Sequence, residues 1–229
     1  NTPPLVDNLS FSIEKGDCLG LVGESGSGKS MIASAIMQLL PPRALVSSRS
    51  EILFDGQDLL SLPEKKMQTI RGKKIAMIFQ DALSTLNPVL TIAQQMREIL
   101  LTHKICQKKQ MKMQCLSLLN DVGIQDPERV YASYPHQLSG GMRQRAMIAM
   151  ALSSAPELLI ADEATTALDV TIQAQILTLL KDLQQRHHMA ILFISHDLAV
   201  VSDIASEVLV LRQGKKVEQL PTKTFFTSP

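Results

Sequence analysis

Short apolar runs alternate with longer helical patterns along most of this chain. The runs lie at residues 18–22, 51–54, 75–79, 157–161 and 189–194. Mainly apolar runs of this length are typical of strands buried in a parallel sheet. Between the last two runs, apolar residues recur at the spacing of one helix face, at Ile172, Ile176, Leu179, Leu180 and Leu183. The alternation predicts an α/β fold with a mostly parallel sheet.

Residues 83–155 interrupt this alternation. They contain helical stretches at residues 91–102, 110–122 and 141–153, without a strand pattern. We therefore expect a helical subdomain inserted between two strands of the sheet. At about 150 residues per domain, the length predicts one domain over residues 1–229, with a core of residues 1–82 and 156–229.

Composition and charge narrow the classes of function. The 23 Lys and Arg residues nearly balance the 22 Asp and Glu residues. The net charge of +1 gives the chain no overall positive potential that would attract nucleic acid. Three scattered cysteines without CxxC spacing indicate reduced thiols in a reducing compartment. No signal peptide and no apolar run long enough for a transmembrane helix is found. The chain starts at Asn1 and ends at Pro229, and we expect truncation at both ends.

A glycine-rich turn follows the first predicted strand and precedes a helix predicted from about Ser30 to Leu40. Its glycines allow backbone N–H groups to curl around phosphate oxygens, and the helix dipole favours the same anion. Lys29 is expected to reach the β and γ phosphates, and the Ser30 hydroxyl to ligate Mg²⁺. The turn has the spacing of a phosphate loop and consists of Gly23, Glu24, Ser25, Gly26, Ser27, Gly28, Lys29 and Ser30.

Two acidic residues, Asp162 and Glu163, follow the apolar run that ends at Ala161. A parallel strand delivers its C-terminal residues to the ligand edge of the sheet. There Asp162 can hold the Mg²⁺ shell, and Glu163 can polarise an attacking water. Buried strands often end in acidic residues without a catalytic role, so this pattern alone leaves both interpretations open.

Ser139 precedes the paired glycines Gly140 and Gly141 at the start of a predicted helix. The serine is a good helix N-cap. The same hydroxyl and glycine amides also suit a second anion site. The spacing alone does not distinguish the two.

Taken together, these patterns resemble the ATP-binding cassette (ABC) ATPases over nearly the whole chain. The resemblance implies a P-loop NTPase core with a mostly parallel sheet, an N-terminal antiparallel β portion and an inserted α-helical signature subdomain. It also implies ATP and Mg²⁺ as cofactors. Six elements occur in the family's order: the phosphate loop, Gln80, Leu138-Ser139-Gly140-Gly141, Asp162-Glu163, Leu168-Asp169 and Ser195-His196-Asp197.

The resemblance also implies residue roles. Gln80 is expected to sense Mg²⁺ and the membrane subunit, and His196 to contact the γ-phosphate. Asp169 is expected to bridge two ATPase subunits. The expected catalytic residues are Glu163, His196 and Gln80; the Mg²⁺ ligands are Ser30, Gln80 and Asp162; the nucleotide contacts are the phosphate loop, Asp169 and, across a dimer, Ser139, Gly140 and Gly141.

Longer segments are similar to the bacterial dipeptide, oligopeptide and nickel importer ATPases. These are GESGSGKS, FQDALSTLNP, YPHQLSGGMRQR and TTALDVTIQAQIL. Ala82 and Ala164 depart from that pattern, since the subfamily usually has proline there. Family members carry an adenine-stacking aromatic in an early strand upstream of the region matching Asn1, and some members have a Cys-rich segment after the region matching Pro229.

The subfamily resemblance implies an ATP-hydrolysing subunit of a membrane importer, peripheral on the cytoplasmic face of the bacterial inner membrane. Expected partners are a second ABC ATPase subunit, two integral membrane permease subunits and an extracytoplasmic substrate-binding protein, and no nucleic acid. Peptides are the expected substrate, with nickel or glutathione as alternatives.

Two other classes of function remain as competing hypotheses. The net charge of +1 argues against a soluble ABC ATPase acting on nucleic acid or the ribosome. A regulatory nucleotide binder without hydrolysis is disfavoured by the intact Lys29, Asp162, Glu163 and His196.

Overall fold

A computed structural model describes residues 4–79, 85–165 and 169–227, and its centre is a six-stranded sheet. The sheet order is β4-β5-β6-β1-β7-β8, and all neighbours are parallel except β8, which runs antiparallel to β7. The predicted mostly parallel sheet is confirmed. The strands are β1 (Cys18–Val22), β2 (Leu53–Phe54), β3 (Gln57–Asp58), β4 (Ile75–Ile78), β5 (Leu158–Asp162), β6 (Ala190–Ser195), β7 (Glu207–Arg212) and β8 (Lys215–Pro221).

Strands β2 and β3 form a separate antiparallel hairpin. Its two-residue turn has positive φ at both positions, 53° at Asp55 and 75° at Gly56. Asp-Gly suits such a turn because glycine and aspartate tolerate left-handed backbone. This hairpin is the small antiparallel sheet of the fold.

The helices flank the sheet and fill the region between β4 and β5. They are α1 (Lys29–Ile36), α2 (Glu64–Ile70), α3 (Ile92–Thr102), α4 (Met111–Asp121), α5 (Pro127–Ala132), α6 (Gly140–Ala151), α7 (Val170–His187), α8 (Leu198–Ile204) and α9 (Thr222–Thr227). Short 3₁₀ turns lie at Leu59–Ser61, Lys108–Gln110 and Pro135–Gln137. Helix α1 ends before the predicted Leu40 because Gln38 has a φ of 48° and its side chain binds the Leu59 carbonyl.

The two faces of the sheet have separate apolar clusters. On one face, Leu21 and Ile194 pack with Ile32 of α1. On the other, Phe193 belongs to the cluster that contains Met96 of α3. The described residues 85–157 contain no strand, as predicted, and their helices share this second core. The division into a core and an inserted subdomain stays a prediction.

The cysteines are part of the packing. All three are free thiols, and burial raises the pKa of the Cys18 thiol to about 12. Throughout the ranges that the structure describes, no helix has the length and apolarity needed to cross a bilayer.

Candidate active site

Three loops meet at one edge of the sheet because they follow three neighbouring parallel strands. Val22 at the end of β1 pairs with Ser195 at the end of β6, and Ile194 pairs with Asp162 at the end of β5. The phosphate loop, Glu163 and His196 each follow directly after these strands. The carboxyl edge of a parallel sheet is where ligands bind in α/β folds. The sheet thus brings together three predicted site segments that are far apart in sequence.

The phosphate loop depends on glycine at its turn into α1. Gly28, the N-cap of α1, has a φ of 105°. A Cβ at this position would lie 2.8 Å from the Leu5 carbonyl oxygen, so a side chain is excluded by both conformation and space. Gly26 has a φ of 80°, and a Cβ there would meet no atom of the described residues within 4 Å. Glu24, Ser25 and Gly26 are exposed, so this part of the loop is open to a ligand.

Lys29 is buried at the base of the loop, with 5% of its surface exposed. Its Nζ donates to the carbonyl oxygens of Gly23, at 2.7 Å, and Glu24, at 2.9 Å. A buried ammonium needs such partners because desolvation is costly. These bonds hold the loop curled and place a positive charge beneath it.

Ser27 adds an unsatisfied donor to the same loop. Its hydroxyl oxygen is buried and has no hydrogen-bond partner within the described residues. A buried polar group without a partner is unfavourable, and a ligand that supplies an acceptor would relieve it. The loop residues therefore fit a phosphate group.

A mutation of Lys29 tests the phosphate loop. Charge-assisted hydrogen bonds contribute roughly 1.5–3 kcal/mol each, so Lys29→Ala should lower ATP affinity at least about tenfold. Calorimetric titration with ATP and Mg²⁺ measures the change. Lys15→Ala removes an exposed lysine and should leave affinity unchanged. ATP binding of wild-type strength by a folded Lys29→Ala protein would contradict the phosphate-loop assignment.

Ser30 and Asp162 supply adjacent oxygen atoms beside the loop. The Ser30 hydroxyl donates to Asp162 Oδ1 at 3.2 Å. Across the described ranges, no group of three or more His, Cys, Asp or Glu side chains could hold a metal ion. A hydroxyl and one carboxylate nevertheless suit Mg²⁺, which commonly completes its shell with water and substrate phosphates. Gln80, the third predicted ligand, lies outside the described residues.

Burial is the main influence on the charge of Asp162. It raises the pKa of this carboxyl, the Ser30 hydrogen bond and Lys29 oppose the rise, and Glu163 adds to it. The folded protein therefore holds the Asp162 proton more tightly than the unfolded chain does. Ionised Asp162 consequently destabilises the folded state, and this cost grows as the pH rises above the ordinary value of 3.8 and is complete above the raised pKa of the folded protein.

Asp162→Asn should stabilise the protein without nucleotide or Mg²⁺ because the amide has no charge to desolvate. The gain should be full above the raised pKa of Asp162 and should shrink as the pH falls toward the ordinary value of 3.8. Urea unfolding of both proteins at pH 8 and pH 5 measures the difference. Asp203→Asn, at an exposed carboxyl, is the matched control. A difference in unfolding free energy that grows toward low pH would contradict this prediction.

Glu163 and His196 form a pair next to this cluster. Glu163 has a left-handed φ of 47°, and its N–H donates to the Ile194 carbonyl at 3.0 Å. Glu163 Oε1 lies 3.2 Å from His196 Nδ1. The His196 side chain is 57% exposed and that of Glu163 is 18% exposed. A carboxylate beside a histidine at a phosphate site can orient a water and accept its proton.

The Ser139 segment lies at the N-terminus of α6. Ser139 is an N-cap, and its hydroxyl accepts a hydrogen bond from the Met142 N–H at 3.3 Å. A Cβ at Gly141 would approach Ile172 of α7 to 3.0 Å, and Asp169 caps α7 by accepting from the Ile172 N–H at 2.9 Å. Gly141 and Asp169 thus both lie next to Ile172.

These residues are not joined to the phosphate loop within one chain. In the part of the molecule that the structure describes, no hydrogen bond links Ser139, Gly140 or Gly141 to the loop. Ser139 is thus an N-cap, as one of the two interpretations predicts. The second anion site stays a prediction.

Sequence reasoning did not single out Gln144. This polar residue is buried in α6, and its side chain binds the Ala164 carbonyl. Its position in the middle of a helix gives no signal of this contact, which exists only in the folded chain. Ala82 and Leu168 were noted from the sequence and lie outside the described residues.

Comparisons with known proteins agree with this geometry. A family model described as ABC transporter matches residues 6–166. The chain is 50% identical over 228 residues to the peptidoglycan transport ATP-binding protein YejF of Agrobacterium fabrum, covering 100% of this chain and 42% of that protein. It is 50% identical over 224 residues to the oligopeptide transport ATP-binding protein OppD of Bacillus subtilis, covering 98% of this chain and 63% of that protein.

Solved structures show the same architecture. The dimeric ATP-binding cassette MJ0796, in a post-hydrolysis state bound to ADP and Pi, superposes with a TM-score of 0.82 at 27% identity. The superposition covers 95% of this chain and 90% of that one. By contrast, the chain spans only 42% and 63% of the lengths of the two curated relatives.

Proposed function

Since the chain belongs to the ABC transporter family, we propose that it is the ATP-hydrolysing subunit of a membrane importer for di- or oligopeptides. One observation carries the hydrolytic part of this proposal. The buried Lys29, the Ser30–Asp162 pair and the Glu163–His196 pair lie at the same edge of the sheet. Together these residues can bind phosphate through Lys29, ligate a metal ion through Ser30 and Asp162, and supply a general base in Glu163.

In this proposal the loop N–H groups and Lys29 bind the ATP phosphates. Ser30 and Asp162, together with Gln80, would hold Mg²⁺, which would supply positive charge to neutralise the phosphates. Glu163 orients a water toward the γ-phosphate and accepts its proton. His196 contacts the γ-phosphate and, through its ring nitrogen, keeps the Glu163 carboxylate in place.

We further propose that the complete site forms between two chains. Residues 83–155 would act as a helical subdomain that presents Ser139, Gly140 and Gly141 to the nucleotide of a partner. The exposure of Ser139 and the lack of a hydrogen bond to its own phosphate loop, within the described residues, support this arrangement. Asp169, next to the same helix start, would bridge the two subunits.

The proposed partners are a second ABC ATPase subunit, two membrane permease subunits and an extracytoplasmic substrate-binding protein, without nucleic acid. The proposed location is the cytoplasmic face of the bacterial inner membrane. The peptide assignment rests on the oligopeptide transport relative, with which this chain shares 50% identity. Nickel and glutathione are the alternative substrates, and a soluble ABC ATPase is the alternative class.

The test uses the full-length protein purified with its membrane subunits and reconstituted in liposomes. ATP hydrolysis should rise when a peptide-loaded binding protein is added on the opposite side, and peptide should accumulate across the bilayer. Parallel assays with nickel and with glutathione decide the substrate. Failure of the chain to purify with any membrane protein, together with full ATPase activity alone, would contradict the transport assignment.

A further inference from the structure

A buried side chain joins helix α6 to the loop after Glu163. Gln144 is 4% exposed, and its Nε2 donates to the Ala164 carbonyl oxygen at 2.5 Å. Ala164 is 2% exposed, and within the described residues no other hydrogen bond reaches its carbonyl. A buried carbonyl needs a donor, so the loop relies on Gln144 for this bond.

The same loop holds Glu163 in an unfavourable backbone conformation. A φ of 47° at a residue with a side chain costs free energy and persists only where the surroundings enforce it. Two hydrogen bonds among the described residues support it here. The Ile194 carbonyl of β6 accepts from the Glu163 N–H at 3.0 Å. Gln144 of α6 donates to the carbonyl of the following residue, Ala164. The backbone that aims the Glu163 carboxylate is thus fixed by one strand and one helix.

We propose that Gln144 is a positioning residue for Glu163 and that it couples the catalytic carboxylate to the helix that begins with the Ser139 segment. The inference rests on the proposed ATPase function and adds to it a hydrogen bond that links α6 to the backbone beside Glu163. Gln144 lies five residues after Ser139 on the same helix, so the two move together when α6 shifts. Glu163 is aligned for hydrolysis only while α6 lies in the position that this hydrogen bond requires.

Gln144→Met removes the donor while keeping a side chain of similar length. Misplacing a catalytic group by about 1 Å can cost 10²-fold in rate, so we expect the kcat for ATP hydrolysis to fall at least about tenfold. ATP affinity should stay within twofold, because Gln144 lies outside the phosphate loop. Steady-state kinetics, ATP titration and thermal unfolding of the full-length protein separate these effects.

Gln144→Glu supplies a readout that a general loss of packing would not change. An ionised carboxylate cannot donate to the Ala164 carbonyl, whereas a protonated carboxyl can. Burial beside a carbonyl raises a carboxyl pKa above its ordinary value of about 4.3. The kcat of Gln144→Glu, divided by that of the wild-type protein, should therefore rise as the pH falls from 8 to 5.5. The same ratio for Gln144→Met should stay flat.

The matched control is Gln175→Met on α7. Gln175 is exposed and accepts a hydrogen bond from Arg145 Nη2 at 3.1 Å, so this variant also removes a glutamine contact to α6. Its kcat should stay within twofold of wild type.

Three results would overturn the inference. They are a wild-type kcat in Gln144→Met, a parallel loss of ATP affinity and kcat in that variant, and a flat pH ratio for Gln144→Glu. If Gln144→Met does not fold, the pH ratio of Gln144→Glu decides. A wild-type protein without ATPase activity would refute the proposed function and this inference together, whereas an active wild type with an equally active Gln144→Met refutes only the inference.

Discussion

Glu163→Gln is expected to lower the kcat for ATP hydrolysis by ~10²- to 10⁴-fold, the usual contribution of a general base. Glutamine has nearly the shape of glutamate, so the backbone at Glu163 and its bond to Ile194 should persist. The amide cannot accept the proton of the attacking water. ATP affinity should not fall, because the change removes a negative charge beside Asp162 and near the phosphates. Single-turnover hydrolysis and calorimetric ATP titration measure the two quantities.

Glu157→Gln is the control for this experiment. Glu157 directly precedes the same strand, β5, and its side chain pairs with Lys74 at 3.4 Å, far from the strand's carboxyl end. Its kcat should stay within twofold of wild type. A Glu163→Gln protein that hydrolyses ATP at nearly the wild-type rate would place the base on another residue.

Ser139→Tyr is expected to reduce turnover by at least ~10²-fold while a single chain still binds ATP. An oriented donor and a helix N-terminus stabilise phosphate charge only within hydrogen-bond reach, and losing one such donor typically costs 10²- to 10³-fold, by order of magnitude. A tyrosine side chain at this exposed position would hold the partner's nucleotide away. Wild-type turnover per molecule should also rise with protein concentration in the dilute range.

Two controls make the Ser139 result interpretable. Ser139→Tyr also removes the N-cap of α6, which costs about 1 kcal/mol of stability. Asp126→Ala controls for this loss, because it removes the N-cap of α5 at similar cost without approaching the nucleotide.

Mixing Ser139→Tyr with Glu163→Gln puts both defects in one composite site and neither in the other. Activity should partly return if the two variants pair; if the chain pairs only with a different subunit, the mixing is repeated in the reconstituted complex. Constant specific activity in dilute monomer, checked by sedimentation, would refute the composite site.

The sequence predicts the central strands well because their apolar runs are continuous. Strands β1, β5 and β6 lie within one residue of the predicted bounds, since both faces of these strands are buried. Strand β7 has a similar run at residues 208–211 but is not among the predicted strands. Strand β8 is a mainly exposed edge strand with charged residues, and its sequence KKVEQLP gives no buried-strand pattern.

The site is predictable to the extent that its chemistry lies in short segments. Lys29, Ser30 and Asp162 are recognisable because one loop and one strand end place them, and the structure brings them together as expected. Gln144 is different, because its partner is twenty residues away in sequence and lies in another element. The left-handed backbone of Glu163 was likewise absent from the prediction, since nothing in its residue type requires it.

The strand order has a consequence for how this chain folds during its synthesis. Strand β1, which leads into the phosphate loop, is synthesised before both of its sheet neighbours, β6 and β7, and β4 and β5 lie between them in the sequence. Cys18 pairs with Ile191, and Leu19 with both Leu192 and Glu207. Until residues 190–212 leave the ribosome, β1 has two open edges and the nucleotide pocket lacks its neighbouring walls. Pairings so distant in sequence form slowly, so the nascent chain exposes the apolar strand β1 at least until β6 and β7 have been synthesised.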